Sequence, residues 1–503
     1  MAISFRQLHV YLLCLAISHT TALYLQPVYG KSVTAGCGQA CAQLAARFAS
    51  TSAIHFPEND PSFRIWDAKQ AAVVPACRVE PHTSDEVVEV LSIIKDNWCT
   101  FAIKGGGHAR RVDASNSNGG VTLDMGRFNQ TEVMDDLQSA WLGAGLTLVE
   151  ADRALEEKQL AFLGGRVDTV GVAGFSMGGG FSNLIAKMGL AVDNILEYEV
   201  ILPNGTIANI THETDPDIYY ALRGGANNFG IITRFRHRTV LQGQQLFGQR
   251  TYSLNYTHQI LAETYKLATL YSNDTDMVYY TRLQYNRTTE SFVPAIWYSY
   301  LKPEPSPSVF KDAFEIPYET DALRTDWVSN HIATAPAFGL RRLYTTFTYS
   351  PSASLEKRVW EIFQSLVAKF SHVPGFSPGV VLQPIPKAVF RAAKERGGNA
   401  LGLEPPGDGP LMLALLTFGW QNATDDQVMY SFAEAWRSRS VNAAKEMGLW
   451  NRYLYINYCK EDQDPFASYG EENASRLRKI QRKVDKEGIF TSSGLNRGYF
   501  KLL

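Results

Sequence analysis

Glycine, at the places where it is densest, constrains this chain more than any other feature. Three clusters lie between residues 104 and 230: Lys104-Gly105-Gly106-Gly107-His108, the run VGVAGFSMGGG over 170–180, and Arg223-Gly224-Gly225-Ala226-Asn227-Asn228-Phe229-Gly230. A residue without Cβ lets backbone N–H groups approach a phosphate or a ring edge closely. Repeated in three loops, the clusters predict a large anionic cofactor wrapped by backbone rather than a series of tight turns.

The spacing excludes the common nucleotide grips. No cluster stands in strand, G-x-G-x-x-G and helix order with an acidic residue about 20 positions later. Gly178-Gly179-Gly180 lacks the Lys-Ser/Thr of a Walker A loop, and no H-E-x-x-H zinc signature occurs. Gly174-Phe175-Ser176-Met177-Gly178 has the letters of a nucleophile elbow, with His212 and His331 as later histidines. The helix that must follow such a serine would carry three glycines at about 1 kcal/mol each, which argues against a hydrolase.

Periodicity places the clusters on loops. Thr83 to Glu86 reads as a capping box, with Val87, Val90, Leu91 and Ile94 on one face of a helix that ends near Asn97. A strand over 100–104 stops at Gly105, so His108 follows a strand. Further strands are expected at 121–124 and 140–143, then a second capped helix from Thr147 with Leu148, Ala151 and Leu155 inward. Residues 195–202, Asn204-Gly205 and 206–210 form the clearest hairpin. This alternation gives an α+β or α/β domain. Glycine thins out after residue 240, and a second domain rich in Tyr, Phe and Leu is expected over 242–450, with 411–420 a buried strand or helix. The last fifty residues change again, with Tyr453-Leu454-Tyr455-Ile456-Asn457-Tyr458 and a basic helix over 472–486. Its Arg476, Arg478, Lys479, Arg482 and Lys483 read as a solvated face.

Lys plus Arg is 48 against 50 Asp plus Glu, so no field of one sign exists to recruit nucleic acid or an acidic membrane. Arg6, the apolar run 8–17 and the small residues Thr20 and Ala22 read as a signal peptide over 1–22, too short to span a bilayer. Asn-x-Ser/Thr acceptors at Asn129, Asn204, Asn209, Asn255, Asn273, Asn286, Asn422 and Asn473 point the same way, to a secreted N-glycosylated protein. Cys14 leaves with the signal peptide. In an oxidising compartment Cys37, Cys41, Cys77 and Cys99 are expected to form two disulfides, in any of three pairings, with Cys459 left as a buried thiol.

The motifs carry a family resemblance. KGGGHARRVDASNSN followed by GGVTLDMGRFN, then GGRVDTVGVAGFSMGGGFSNLIAKMGLAVDNI, then ALRGGANNFGIIT, and finally YINY with SYGEENASRLRKIQRKVDKEGIF resemble the blocks of FAD-linked oxidases of the berberine-bridge-enzyme-like group. The likeness runs from about residue 69 to the end, with the middle unplaced. It implies an α+β fold: a PCMH-type FAD-binding domain over 69–241 completed by 451–503, and a substrate domain over 242–450 with an antiparallel sheet covered by helices. Residues 23–68 would form an N-terminal disulfide-containing segment.

The resemblance also implies roles. His108 matches the histidine tethered to the flavin C8-methyl group. Val167 stands where many relatives place a second, cysteinyl link, so a single tether is expected, and Ala109 replaces a serine that often follows the histidine. Tyr458 matches a tyrosine on the substrate side of the flavin, with Asn457 beside it contacting the ring, and these two are the candidate catalytic residues. Lys104, Gly105, Gly106, Gly107, Ala109, Val170, Gly171, Gly174, Gly178, Gly179, Asp193, Asn194, Gly230 and Ile231 are the further candidate cofactor contacts, and no metal is expected. A monomer is expected, passing a hydride from a small natural product to FAD and reoxidised by dioxygen to give hydrogen peroxide. The alternatives are a carbohydrate oxidase of the same fold, a flavin-carrying glycoprotein without activity, or hydrolysis at Ser176.

Overall fold

The computed structural model describes residues 36–270, 273–336, 338–405, 407 and 409–503. The expected signal peptide and Cys14 lie outside the described residues.

Among the described residues three large sheets follow one another along the chain, and Leu160–Ala161 pairs with Val240–Leu241 in a small fourth one. The first has four strands, in the order Ile54–His55, Cys77–Val79, Val121–Asp124, Phe101–Lys104. Val121–Asp124 is parallel to both its neighbours, which requires crossovers, and the helix Ser84–Asp96 supplies one of them. Thr83 Oγ1 accepts from Glu86 N at 3.2 Å, while the Glu86 carboxylate reaches the His82 N–H at 2.5 Å instead of the Thr83 N–H. The expected box therefore closes one residue early, yet the same apolar face, Val87, Val90, Leu91 and Ile94, is buried. In the helix Cys37–Arg47, Cys37 and Cys41 lie one turn apart and bond to Cys99 and Cys77, so of the three pairings the structure selects 37–99 and 41–77. Cys459 is free and buried, as expected.

The second sheet is antiparallel, in the order Thr131–Val133, Ser139–Gly143, Ile231–Arg238, Ile195–Ile201, Ile207–Ile210. The hairpin pairs Tyr198 with Ile210 and Ile201 with Ile207. The capping box before Leu148–Glu156 forms in full, with Thr147 N donating to Glu150 Oε2 at 2.8 Å.

The third sheet has nine strands, paired antiparallel throughout, all from residues 245–451. The stretch Leu411–Trp420 is one of its central strands. Helices Ala353–Phe370 and Asp426–Glu446 cover one face, where Phe363, Phe432 and Trp436 pack on Phe347 and Leu416. The other face is turned to the glycine loops. Beyond residue 451 the chain returns to the first sheet, where Phe101 N donates to Leu495 O at 2.8 Å. The helix Glu471–Val484 buries Ala474, Leu477 and Ile480 and leaves Arg476, Lys479, Arg482 and Lys483 outward. Among the described residues no helix is long and apolar enough to cross a membrane.

Candidate active site

Two of the glycine loops meet back to back. A Cβ on Gly106 would overlap the backbone nitrogen of Gly171, and one on Gly171 would overlap that of Gly106. A Cβ on Gly178 would strike the Asn457 side chain, so that glycine is what lets the returning C-terminal segment in. The loops and the third sheet enclose a cavity of about 430 Å³, within the size range of cofactor and ligand sites. It brings together Gly105, Gly106, Gly107, His108, Ala109, Val170, Gly171, Gly174, Gly178, Gly230, Ile231, Asn457 and Tyr458 from the candidates. A second pocket, of about 30 Å³, lies beside it.

Four candidates lie behind the wall. Lys104 Nζ is held at 3.1 Å by Oδ1 of Asp124, its cross-strand partner in the first sheet. Gly179, at φ +119°, faces Tyr455 and Leu401. Asp193 accepts from Arg223 at 3.0 Å and from Asn399 at 2.7 Å, because a fully buried guanidinium needs a carboxylate in contact. Asn194 Nδ2 donates to the carbonyls of Met188 and Leu190. Their motif neighbours face the cavity, but these side chains brace it from outside.

His108 stacks on Trp66 with ring centroids 4.5 Å apart, and its Nε2 lies 2.8 Å from Thr169 Oγ1. Its Nδ1 makes no hydrogen bond to a described residue. Burial, with help from Arg110 and Arg342 and against Asp168, pushes the imidazole down to about 4, so at neutral pH the ring is uncharged and keeps a nitrogen lone pair. Tyr458 presents its phenol oxygen to Arg166 Nη2 at 2.9 Å; the same nitrogen reaches Gln383 Oε1 at 2.5 Å, and the guanidinium lies 4.5 Å from the Tyr280 ring. Burial opposes the Arg166 charge, but the phenols of Tyr458, Tyr280 and Tyr455 outweigh it. Asn457 is satisfied within the protein: Nδ2 donates to Phe175 O and Tyr455 Oη at 3.1 Å, Oδ1 accepts from Tyr499 at 2.8 Å, and its carbonyl accepts from Arg110 at 2.7 Å. Val167 lines the cavity, as does Asn227, whose Oδ1 is buried without a partner.

Sequence reasoning missed Arg166, Tyr280, Arg282 and Trp66, which share this cavity. The first stands inside a motif that the resemblance rests on; the others have no local signal. Ser176 is fully buried in the helix Val172–Met177, with Oγ 3.3 Å from His237 Nε2, and His237 Nδ1 has no partner that would orient it. His212 lies beside Glu213 and His331 against Phe247. No substrate reaches this serine, so the elbow letters do not make an elbow.

The residues fit FAD: bare backbone for close approach, Arg110 and Arg111 for negative charge, and a neutral imidazole facing the same space. Residues 75–211 match the FAD binding domain family. The FAD-dependent monooxygenase FUP4 of Fusarium proliferatum (strain ET1) is 32% identical over 439 residues, covering 84% of this chain and 85% of that protein. Among solved structures, xylooligosaccharide oxidase from Myceliophthora thermophila C1 in complex with xylobiose matches with a TM-score of 0.73 at 19% identity, over 93% of this chain and 99% of that one. A structure of berberine bridge enzyme matches with 0.71 at 16% identity, over 90% and 98%. The chain therefore belongs to the FAD-dependent oxidoreductase family, and its fold is the PCMH-type FAD-binding fold that berberine bridge enzyme and xylooligosaccharide oxidase share.

Proposed function

We propose that this enzyme is a secreted oxidase acting on a small aromatic natural product, with FAD tethered through His108 alone. Bound FAD would take a hydride from the substrate and be reoxidised by dioxygen with release of hydrogen peroxide. The observation that carries the reading is the neutral His108 imidazole, its Nδ1 unengaged, in the same cavity as the Tyr458–Arg166 pair.

The chain's own groups supply the rest. Thr169 and Trp66 hold the His108 ring in place. Val167 offers no thiol, which leaves one tether. A substrate that loses a hydride must also lose a proton, and the Tyr458 oxygen, held at 2.9 Å by the Arg166 N–H, is the group placed to take part in that transfer. Asn457, locked by four hydrogen bonds, positions Tyr458 rather than reacting itself. Aromatic walls from Phe181, Tyr280, Tyr344 and Tyr455 favour a ring-bearing metabolite over a saccharide.

The division into an FAD-binding domain over 69–241 with 451–503 and a substrate domain over 242–450 is part of the same proposal, supported by the strand content of the third sheet and the contact of Leu495 with Phe101. Secretion is supported by the two disulfides and by seven glycosylation acceptors on the surface; the eighth, Asn473, is engaged by Tyr220 and Tyr469. The deciding experiment is acid precipitation of the purified protein. The yellow absorbance is expected to stay with the pellet and to be lost from the pellet of His108→Ala; colour released into the supernatant from the wild type would remove the tether.

A further inference from the structure

The strand Met277–Asn286 alternates strictly. Met277, Tyr279, Thr281, Leu283 and Tyr285 are buried, and Tyr280 and Arg282, on the opposite side, line the cavity. The Arg282 guanidinium makes no hydrogen bond and no ion pair with any described residue, and its Nε is buried without a partner. Directly across the sheet from it stands Val381, and Leu415 follows on the next strand. Burial lowers the hold of this guanidinium on its proton, against the phenols of Tyr280 and Tyr344. The Arg166 guanidinium lies 4.5 Å from the Tyr280 ring, with its Nη2 shared between Tyr458 and Gln383. Glu461, the acidic side chain lining the cavity, is already engaged by Lys69 at 3.8 Å and by Tyr430 at 3.0 Å.

A rigid fork of donors left open on an apolar and aromatic wall is matched by a planar oxyanion, which takes two parallel hydrogen bonds from it. We propose that the substrate carries a carboxylate on an aromatic framework, and that Arg282, with Arg166 adding its charge, binds that carboxylate and fixes which end of the molecule faces Tyr458. The inference rests on the oxidase reading above and names its substrate class. Arg282 is carried by the third sheet rather than by the glycine loops, which assigns it to substrate and not to the cofactor.

Calorimetric titration of the purified flavin-loaded protein with salicylate and with its neutral amide, salicylamide, tests this. Salicylate is expected to bind about tenfold tighter than the amide, with the preference lost in Arg282→Met and partly kept in Arg282→Lys, at unchanged flavin content. Equal affinities, or no binding of either compound, would overturn the proposal. So would loss of flavin from Arg282→Met, which would give the guanidinium to the cofactor. The comparison within the wild type decides the matter even if the methionine variant does not fold. Absence of flavin from the wild type would instead sink the oxidase reading, while a preference for acid over amide that Arg282→Met abolishes still reports on Arg282.

Discussion

Tyr458 tests the assignment of roles at the level of single atoms. Tyr458→Phe removes one oxygen and the acceptor for the Arg166 N–H, and leaves the ring contacts with Tyr344 and Tyr455 in place. Peroxide release from a panel of aromatic acids is expected to fall about 100-fold, with flavin absorbance per protein unchanged, since a positioned acid or base contributes on that order. A parallel loss of flavin would make the phenol a structural group instead. That His108 and Tyr458 share one cavity was legible in the sequence because both lie in motifs with a fixed local context. Arg166 also lies in such a motif, yet its partners Gln383 and Tyr458 are brought to it only by the third sheet and the returning C-terminal segment. Arg282 differs from any arginine on an exposed strand only in lacking a partner, and no pattern of neighbours in the chain reveals that. Ser176 is the opposite case: the three glycines after it argue against an elbow in the sequence, and its complete burial agrees.

Secondary structure elements announced themselves wherever their hydrogen bonds are local. The helices after Thr83 and Thr147 and the hairpin at Asn204-Gly205 follow from capping and turn chemistry within a few residues. The order of the first sheet did not, because parallel pairing joins residues 77–79 to 121–124 through a crossover, and local propensity carries no record of the partner. The cysteines show the same limit: three pairings were open until helix Cys37–Arg47 placed two thiols one turn apart above the sheet. The Cys41–Cys77 bridge closes a 36-residue separation and Cys37–Cys99 one of 62. Removing either as a double alanine variant is expected to cost about 4 kcal/mol by loop entropy, with the longer loop worth about 0.5 kcal/mol more. Guanidinium unfolding of the two variants checks both the size and the order. A change near zero would mean that packing of the helix on Thr100 and the sheet holds this segment without covalent help.

Across the whole molecule, buried histidines tie global stability to pH: His108 and His331 are pushed down to about 4, and His237 furthest of the three. His237 lies on the strand Ile231–Arg238, fully buried, with Ser176 Oγ beside Nε2 and the rings of Phe162 and Phe235 around it. Burial pushes its imidazole down to about 3 from an ordinary 6.5. Between those two values the unfolded chain binds a proton that the folded chain refuses. The contribution of a neutral His237 is therefore complete above about pH 6.5 and is lost as pH falls toward 3, at about 1.4 kcal/mol per pH unit. Glu356 and Asp152, whose carboxyls burial pushes well up, act in the opposite sense, since the folded chain takes up their protons first. Both are common to the wild type and to His237→Leu, so subtraction removes them. Unfolding free energies measured from pH 6 to 4.5 are expected to fall more steeply in the wild type than in His237→Leu, by close to that slope. Parallel lines would mean that water or a rearranged Ser176 lets His237 charge within the fold, and the sheet would then tolerate a cation between two aromatic rings and one hydroxyl.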